Sequence, residues 1–393
     1  MRNAILTTLS LAVCAFMGAA TVAFAQNPSP TELEQRSIER RAVEAAIWGM
    51  PAVNAELMLQ EMFAKTAGKE NQILYWGRPL DWHNQTLTPN PDSIYFMVFI
   101  NTKDAGPLVL EVPPAEDDGS FNINIINTWQ MPLADAGLYG TDKGKGGKYL
   151  MLPPGYSGSV PQGYTPLKFD TFGGIILLRS NLKSHGSADV ATSVAYGKRA
   201  KFYPLSQADN PPATIFTDAQ EVIFDSTLKY DFSFFENLNR VIQKEPWLDR
   251  DRVMISQLKS IGIEKGMPFK PDAQTKAALE AGIREAHALL KARYDKFFPP
   301  FASYWDASHW AAIVVPEVVN MWRNDLSDLN DYPVDDRALA YTYGYIAIKA
   351  LGVGQFYLLT NQDGEGKRLD GGKNYRLKVP PNVPVEQYWS ATA

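Results

Sequence analysis

Between residues 93 and 180 the chain is a succession of short β-type runs, each closed by a turn, and from about residue 186 the pattern becomes helical. That change of period constrains the fold more than any other feature. SIYFMVFIN (93–101) and PLVLEV (107–112) are separated by a Lys-Asp-Ala-Gly turn, SFNINIIN (120–127) alternates polar and apolar residues, and KYLMLPP (148–154) and GGIILLRS (173–180) follow. Runs of this length with turn residues between them predict antiparallel strands in a sandwich or barrel. The fold class expected is α+β: an N-terminal antiparallel β-sandwich-like domain with flanking helices, a helical middle region and the start of a second β-domain.

The helical segments carry their own punctuation. Ser29-Pro30-Thr31-Glu32 has the form of a capping box with proline at the first helical position, so a helix should run to about Trp48. Gly49-Met50-Pro51 should interrupt it, with a second helix from Pro51 to near Gly68. Asp231 and Asp272 are placed to cap two more helices, the second reaching Phe297, and Trp305–Asn324 and Asp335–Leu351 read as a further pair. Strand patterns return at GQFYLLT (354–360) and NYRLKVP (374–380). The expected units are thus 26–200, β-rich with N-terminal helices, 201–350, helical, and 351–393, the beginning of a second β-domain.

Residues 1–25 read as a signal peptide. An apolar stretch follows Arg2, and Ala23-Phe24-Ala25 ahead of Gln26 is an A-x-A cleavage pattern. The apolar run is short for a bilayer span and is broken by small residues. Cys14, the sole cysteine, lies inside this segment, so the mature chain would carry no thiol. That excludes disulfides, thiol catalysis and cysteine-ligated zinc, and suits a periplasmic or secreted protein without a membrane span after cleavage. The formal net charge of −5 and the lack of a basic cluster argue against nucleic acid as a partner. No feature of the sequence sets an oligomeric state.

The densest short motif is TPNPDSIYF (88–96). Pro89 and Pro91 restrict the backbone around Asn90, and Asn and Asp form turns with nearby amides, so a rigid turn feeding a strand is one reading. The other is a stiff loop that presents Asp92 as general base, as a ligand for a hard cation such as Ca²⁺ or Mg²⁺, or as an acceptor for a hydroxylated molecule, with Asn90 and Tyr95 beside it. His83, just upstream in DWHNQ, is the histidine placed closest in sequence to assist. Asn122 and Asn124 lie two apart and so share a strand face, where asparagine is uncommon. Both a solvent-facing strand and a polar cavity fit them, with Trp129 and Asp135 extending the stretch. Arg337 and Tyr341, four apart on a helix, can face the β-domain together and close a shared cleft.

Several motifs are absent. TDKGKGGK (141–148) lacks the spacing of a phosphate loop and reads as a glycine-rich hairpin tip whose lysines can steer an anion. There is no H-E-x-x-H and no G-x-S-x-G elbow. Asp306 and His309 share a helix face in the predicted Trp305 helix and suit a surface contact.

Together these residues resemble a family defined by two domains of unknown function, DUF1254 followed by DUF1214. Thr88, Pro89, Asn90, Asp92 and Tyr95 match the first domain's T-P-N-x-D-x-x-Y, and DAGLYGTDKGKGGKYLMLPPGY (135–156) matches its long glycine-rich block. PPNVPVEQYWSAT (380–392) resembles the second domain's P-P…W-S-x-T. The resemblance implies a β-sandwich-like first domain, a helical region and a second β-domain that looks cut short at Ala393, and it supplies no catalytic residues. Two functions therefore stand side by side. One is an exported hydrolase acting on a small polar or phosphorylated molecule with a divalent cation. The other is a non-catalytic envelope protein that binds a ligand or partner between its β-domains.

Overall fold

The computed structural model describes residues 27–86, 90–297, 308–312, 330, 332–343, 357–385 and 389–391. Residues 1–26, with Cys14 and the expected signal peptide, and Asp306 lie outside the described residues. In chain order the elements are α1 (Pro30–Lys65), β1 (Ile73–Tyr75), β2 (Asn84–Gln85), β3 (Ser93–Asn101), α2 (Thr102–Ala105), β4 (Leu108–Val112), β5 (Phe121–Asn127), β6 (Pro132–Gly137), β7 (Gly147–Leu152), β8 (Tyr164–Lys168) and β9 (Gly173–Asn181). After these come α3 (Ser187–Gly197), β10 (Lys201–Pro204), β11 (Phe216–Asp218), β12 (Phe224–Asp225), α4 (Ser233–Lys244), α5 (Arg252–Ser260), α6 (Ala273–Phe297), β13 (Ala311–Ala312), α7 (Val334–Tyr343) and β14 (Leu358–Leu359).

The predicted runs supply β3, β4, β5, β7 and β9 of the two principal sheets; β1, β6, β8, β10 and β11 were not apparent in the sequence. One has the order β11-β1-β3-β9-β5-β6 and the other β10-β4-β7-β8. Most neighbours are antiparallel; β1–β11 and β7–β8 are parallel. Their inner faces meet in one apolar core. Ile94, Phe96, Val98, Ile123, Ile125, Ile176 and Leu178 of the larger sheet are buried together with Leu108, Leu110, Tyr149 and Met151 of the smaller, and Tyr196 of α3 closes the end. Strands at 201–204 and 216–218 are added to these sheets, so the sandwich draws in chain beyond residue 200.

The capping box forms as predicted: Ser29 Oγ accepts from the Glu32 amide at 3.3 Å and Glu32 Oε2 accepts from the Ser29 amide at 2.7 Å. The interruption at Gly49-Met50-Pro51 does not occur. α1 runs unbroken through Pro51 to Lys65. Pro51 removes one hydrogen bond from the helix, but the helix around it is buried from Ala42 onward against α4, α5 and α6, and that burial outweighs the loss of one bond. Approach is close enough that a Cβ on Gly282 of α6 would stand 2.5 Å from Ala42 Cβ.

Asp272 Oδ1 accepts from the Thr275 amide at 2.7 Å at the start of α6, as the capping pattern predicts; the N-cap of α4 is Phe232, without a side-chain cap, and Asp231, one residue earlier, accepts from the Ser233 amide at 2.8 Å. Other expectations are corrected. The Lys-Asp-Ala-Gly turn is a single helical turn ended by Gly106 at φ 71°. Helix α5 was not apparent in the sequence. Within the expected Trp305–Asn324 helix, Ala311–Ala312 pair with Leu358–Leu359 as strands; most of that segment lies outside the described residues. NYRLKVP (374–380) forms no strand, and its side chains are mostly exposed, so it has no face to bury against a partner.

Candidate functional site

Asp92 stands one residue before β3, and the loop in front of it is built as its composition suggests. Asn90 Oδ1 accepts from the Asp92 amide at 2.7 Å, the side-chain turn that Asn favours. The Asp92 carboxylate does not join that turn. Its Oδ1 lies 2.8 Å from His185 Nε2, and its Oδ2 is buried with no hydrogen-bond partner. The Asp92 carbonyl accepts from the Leu182 amide at 3.2 Å, so the strand start and the 182–186 loop are tied at two points.

His185 is held by the loop around it. Its φ is 60°, a conformation that few residues other than glycine adopt. The amides of Lys183, Ser184 and His185 all donate to Asp189 Oδ2, at 2.8, 2.8 and 3.0 Å. Burial pushes the Asp189 carboxyl up, but the amides of Ser184, Lys183 and His185 outweigh it and hold the group below the usual carboxylate range. Asp189 lies in the first turn of α3, where the helix dipole also favours a negative charge. The His185 side chain is 47% exposed, against 11% for Asp92, so the imidazole bridges a buried carboxylate and solvent.

The strand register places the remaining polar candidates. Tyr95, Arg179 and Asn122 are directly opposite one another on β3, β9 and β5, and Leu177, Asn124 and Asp135 form the next row. Paired residues share a face, so Ser93, Tyr95, Asn122, Asn124, Asp135, Arg179 and Asn181 all lie on the outer face of the larger sheet. All seven are buried. Arg179 Nη1 donates to Asn124 Oδ1 at 2.7 Å, and Asn124 Nδ2 donates to Asp135 Oδ1 at 2.9 Å. The Arg179 guanidinium lies 5.5 Å from the Tyr95 ring centroid. Asn122 Nδ2 donates to Asn181 Oδ1 at 3.2 Å, while Asn122 Oδ1 and Ser93 Oγ are buried without partners. Further along the same face Met97, Phe99, Ile126, Ile175 and Leu177 pack under Met58, Leu59 and Met62 of α1. One half of the face is therefore apolar and covered by helix, and the other half is a buried polar field.

Four other candidates sit elsewhere. His83 Nδ1 contacts Asp81 Oδ1 at 2.7 Å and its ring stacks on Trp82, so the histidine that meets Asp92 is His185 rather than His83. Trp129, Arg337 and Tyr341 come together, but as a joint between helices and sandwich. Trp129 packs against Trp48 with ring centroids 4.4 Å apart and the planes tilted by 48°. Arg337 Nη2 donates to the Trp129 carbonyl and Tyr341 Oη to the Gln130 carbonyl, both at 2.7 Å. Gln130 Nε2 reaches back to Pro51 O at 2.8 Å in the middle of α1. The pair four apart does face the β-domain, and what it holds there is the backbone of the β5–β6 turn.

Arg179, Asn181, His185 and Asp189, which share these contacts, were not among the candidates read from the sequence. Arg179 had a signal: it is the one charge in GGIILLRS, a run otherwise fit for burial on both faces. The glycine-rich block is a turn organised by Asp142, whose carboxylate accepts from the amides of Gly137 and Gly146 at 2.6 and 3.0 Å. Among the described residues no three His, Cys, Asp or Glu side chains come close enough to share a metal ion, and no helix is long and apolar enough to cross a membrane.

A helix-flanked, mostly antiparallel sandwich with a buried polar field on half of its outer sheet face is thus the class of protein in hand. Its sequence matches the family model described as protein of unknown function DUF1254 over residues 71–204, which include Asp92, His185 and the whole polar row, and that of DUF1214 over residues 354–393. The two matches stand in that order along the chain, the second covering 40 residues. Its fold is similar to that of the VPA0106 protein from Vibrio parahaemolyticus, with a TM-score of 0.52 and 17% identity, covering 86% of this chain and 74% of that one. No curated protein matches the chain.

Proposed function

We propose that the polar half of the outer sheet face binds a small polar molecule through that molecule's own hydrogen-bond donors, and that Asp92 and His185 exchange a proton with it. The observation that carries this reading is a set of buried oxygens, Asp92 Oδ2, Ser93 Oγ and Asn122 Oδ1, none with a partner. Leaving such atoms unpaired costs about 1–3 kcal/mol each, a cost that a hydroxyl or amino group offered by a ligand would remove. Arg179 in the same row favours an organic ligand with hydroxyl or amino hydrogens over a bare divalent cation. A carboxylate that orients an imidazole leaves the far ring nitrogen free to act as acid or base, the arrangement that hydrolytic reactions use. The Ala-Phe-Ala pattern before Gln26 supports work outside the cytoplasm, in the periplasm or beyond.

The second reading is a binding protein without chemistry. It is favoured by the Leu182–Asp92 backbone bond and the amide cluster on Asp189, which make the Asp92–His185 contact part of a loop clamp. One experiment separates the readings: melting and calorimetric titration against sugars, polyols, amino compounds and phosphate esters, with Ca²⁺, Mg²⁺ or chelator, followed by turnover assays on any compound that binds. The proposal expects a hydroxyl- or amino-bearing compound at a hundredfold excess over its Kd to stabilise the protein by about 2.7 kcal/mol. It expects Asn122→Ala to weaken that compound and His185→Ala to abolish turnover. Binding without turnover selects the second reading. A chelator-sensitive response to Ca²⁺ or Mg²⁺ alone restores a cation at Asp92. No response from any compound, with Asp92→Ala unchanged in every assay, sinks the site.

A further inference from the structure

A second group of buried charges lies where the helical layer meets the sandwich, away from Asp92. Glu56 and Leu59 of α1, Thr128 and Gly173 of the sandwich, and Lys244 and Glu245 at the end of α4 line a cavity of about 30 Å³, room for a water molecule or two. Glu245 is fully engaged. Its Oε1 accepts from Thr128 Oγ1 at 2.8 Å and the Gly173 amide at 3.0 Å, and its Oε2 accepts from the Phe172 amide at 2.6 Å. Lys244 is ion-paired with Glu70 Oε1, and Glu70 Oε2 accepts from Asn101 Nδ2 at 2.9 Å. A continuous chain Lys244–Glu70–Asn101 therefore ties α4 to the end of β3. Glu56, only 8% exposed, accepts from Gln60 Nε2 at 2.6 Å.

We propose that Glu56 and Glu70 compete for Lys244, making this joint a proton-operated latch. With Glu56 neutral, Lys244 stays on Glu70 and α4 is held to the sandwich through Asn101. With Glu56 ionised, the buried carboxylate draws Lys244 inward, the Glu70 tie loosens and water enters the cavity. The charged groups that face Glu56 are Lys244 and Arg240 from α4 and Glu70 from the segment after α1. Glu245 lies across the cavity, with Lys265 on its carbonyl and Lys103 on the carbonyl of Lys244. The sandwich wall contributes Phe99, Ile100, Thr128 and residues 173–175, none of which titrates. Burial is the main cause that pushes Glu56 up to about 7; the Gln60 hydrogen bond and the charges of Lys244 and Arg240 oppose it, and Glu70 adds to it. A carboxyl raised above its ordinary 4.5 stabilises the fold fully below that value, and its contribution is lost as pH rises through about 7. The latch is therefore closed in mild acid and opens across neutrality.

The full chain is tested by carbon NMR of the Glu56 carboxyl and by hydrogen exchange between pH 5.5 and 8.5, corrected for intrinsic rates. The expected results are a Glu56 midpoint near 7 and a roughly tenfold loss of protection at 101, 172–173 and 241–245 as pH rises through it. Glu56→Gln, which mimics the protonated form, should keep those amides protected at every pH. Glu70→Gln should lower the Glu56 midpoint by about one unit, because Lys244 is released to Glu56 and a like charge is gone. A Glu56 midpoint between 4 and 5, a pH profile in Glu56→Gln that tracks the wild type, or an unmoved midpoint in Glu70→Gln would each overturn the latch.

Discussion

His185 Nε2 and Asp92 Oδ1 meet at 2.8 Å although 93 residues separate them in the chain. The contact is made on one side by a buried carboxylate and on the other by a largely exposed ring. Replacing His185 with alanine should change global stability by less than about 1 kcal/mol, as expected for a pair open to solvent on one side. Ligand turnover should fall by about a hundredfold or more. Denaturant unfolding and a ligand assay on the same sample check both halves. A large loss of stability with binding and turnover intact would make the contact a clamp and nothing more.

Asp189→Asn should loosen the same histidine indirectly. Three amides lose their shared carboxylate, so exchange at 183–185 should rise, and turnover should drop less than in His185→Ala. A carboxyl held below its ordinary value stabilises the loop above about 3.8, and that stabilisation is lost as pH falls through the lower folded value. The wild-type loop should therefore loosen in acid, and the Asp189→Asn loop should already be loose and show no such acid step.

Tyr341→Phe removes the hydroxyl that donates to the Gln130 carbonyl at 2.7 Å, a buried hydrogen bond between α7 and the β5–β6 turn. Urea unfolding should show a loss of about 0.5–1.5 kcal/mol with an unchanged slope. Ligand binding at the outer face should persist, because the joint positions the β5–β6 turn and lies apart from Asp92.

Gly173→Ala should destabilise by about 1–3 kcal/mol through overpacking. The added Cβ would stand 2.6 Å from Glu245 Oε1 and 2.7 Å from Thr128 Oγ1. Because the clash is with Glu245 itself, Gly173→Ala and Glu245→Ala should be strongly non-additive in a double-mutant cycle. Additivity would mean that α4 reaches β9 some other way.

Local features were legible in the sequence and distant pairings were not. The strand runs, the Ser29 box and the cap at Asp272 depend on neighbours within a few residues, so period and spacing carried them. Asn122 and Asn124 were read correctly as sharing a face because alternation is a property of one strand. Choosing between a solvent-facing strand and a buried polar field required knowing which strands lie beside them, and that depends on β9, more than fifty residues downstream. The same limit applies to His83 and His185: proximity in sequence favoured the first, and the loop that returns to Asp92 delivered the second. Pro51 failed for another reason. Local propensity argues for a break, and burial on several sides overrides it.

The unbroken α1 has a consequence for the order of events in synthesis. It is the first element of the described fold to leave the ribosome, yet its burial partners, α4, α5, α6 and α7, lie between residues 233 and 343. Contacts of that sequence separation close slowly. Until those helices have emerged, the Ala42–Val53 stretch of α1 lacks most of the partners that bury it, and its apolar surface stays open to off-pathway contacts. Shortening the wait by circular permutation, with α1 moved behind α7, should speed refolding while leaving the sandwich and its polar face unchanged.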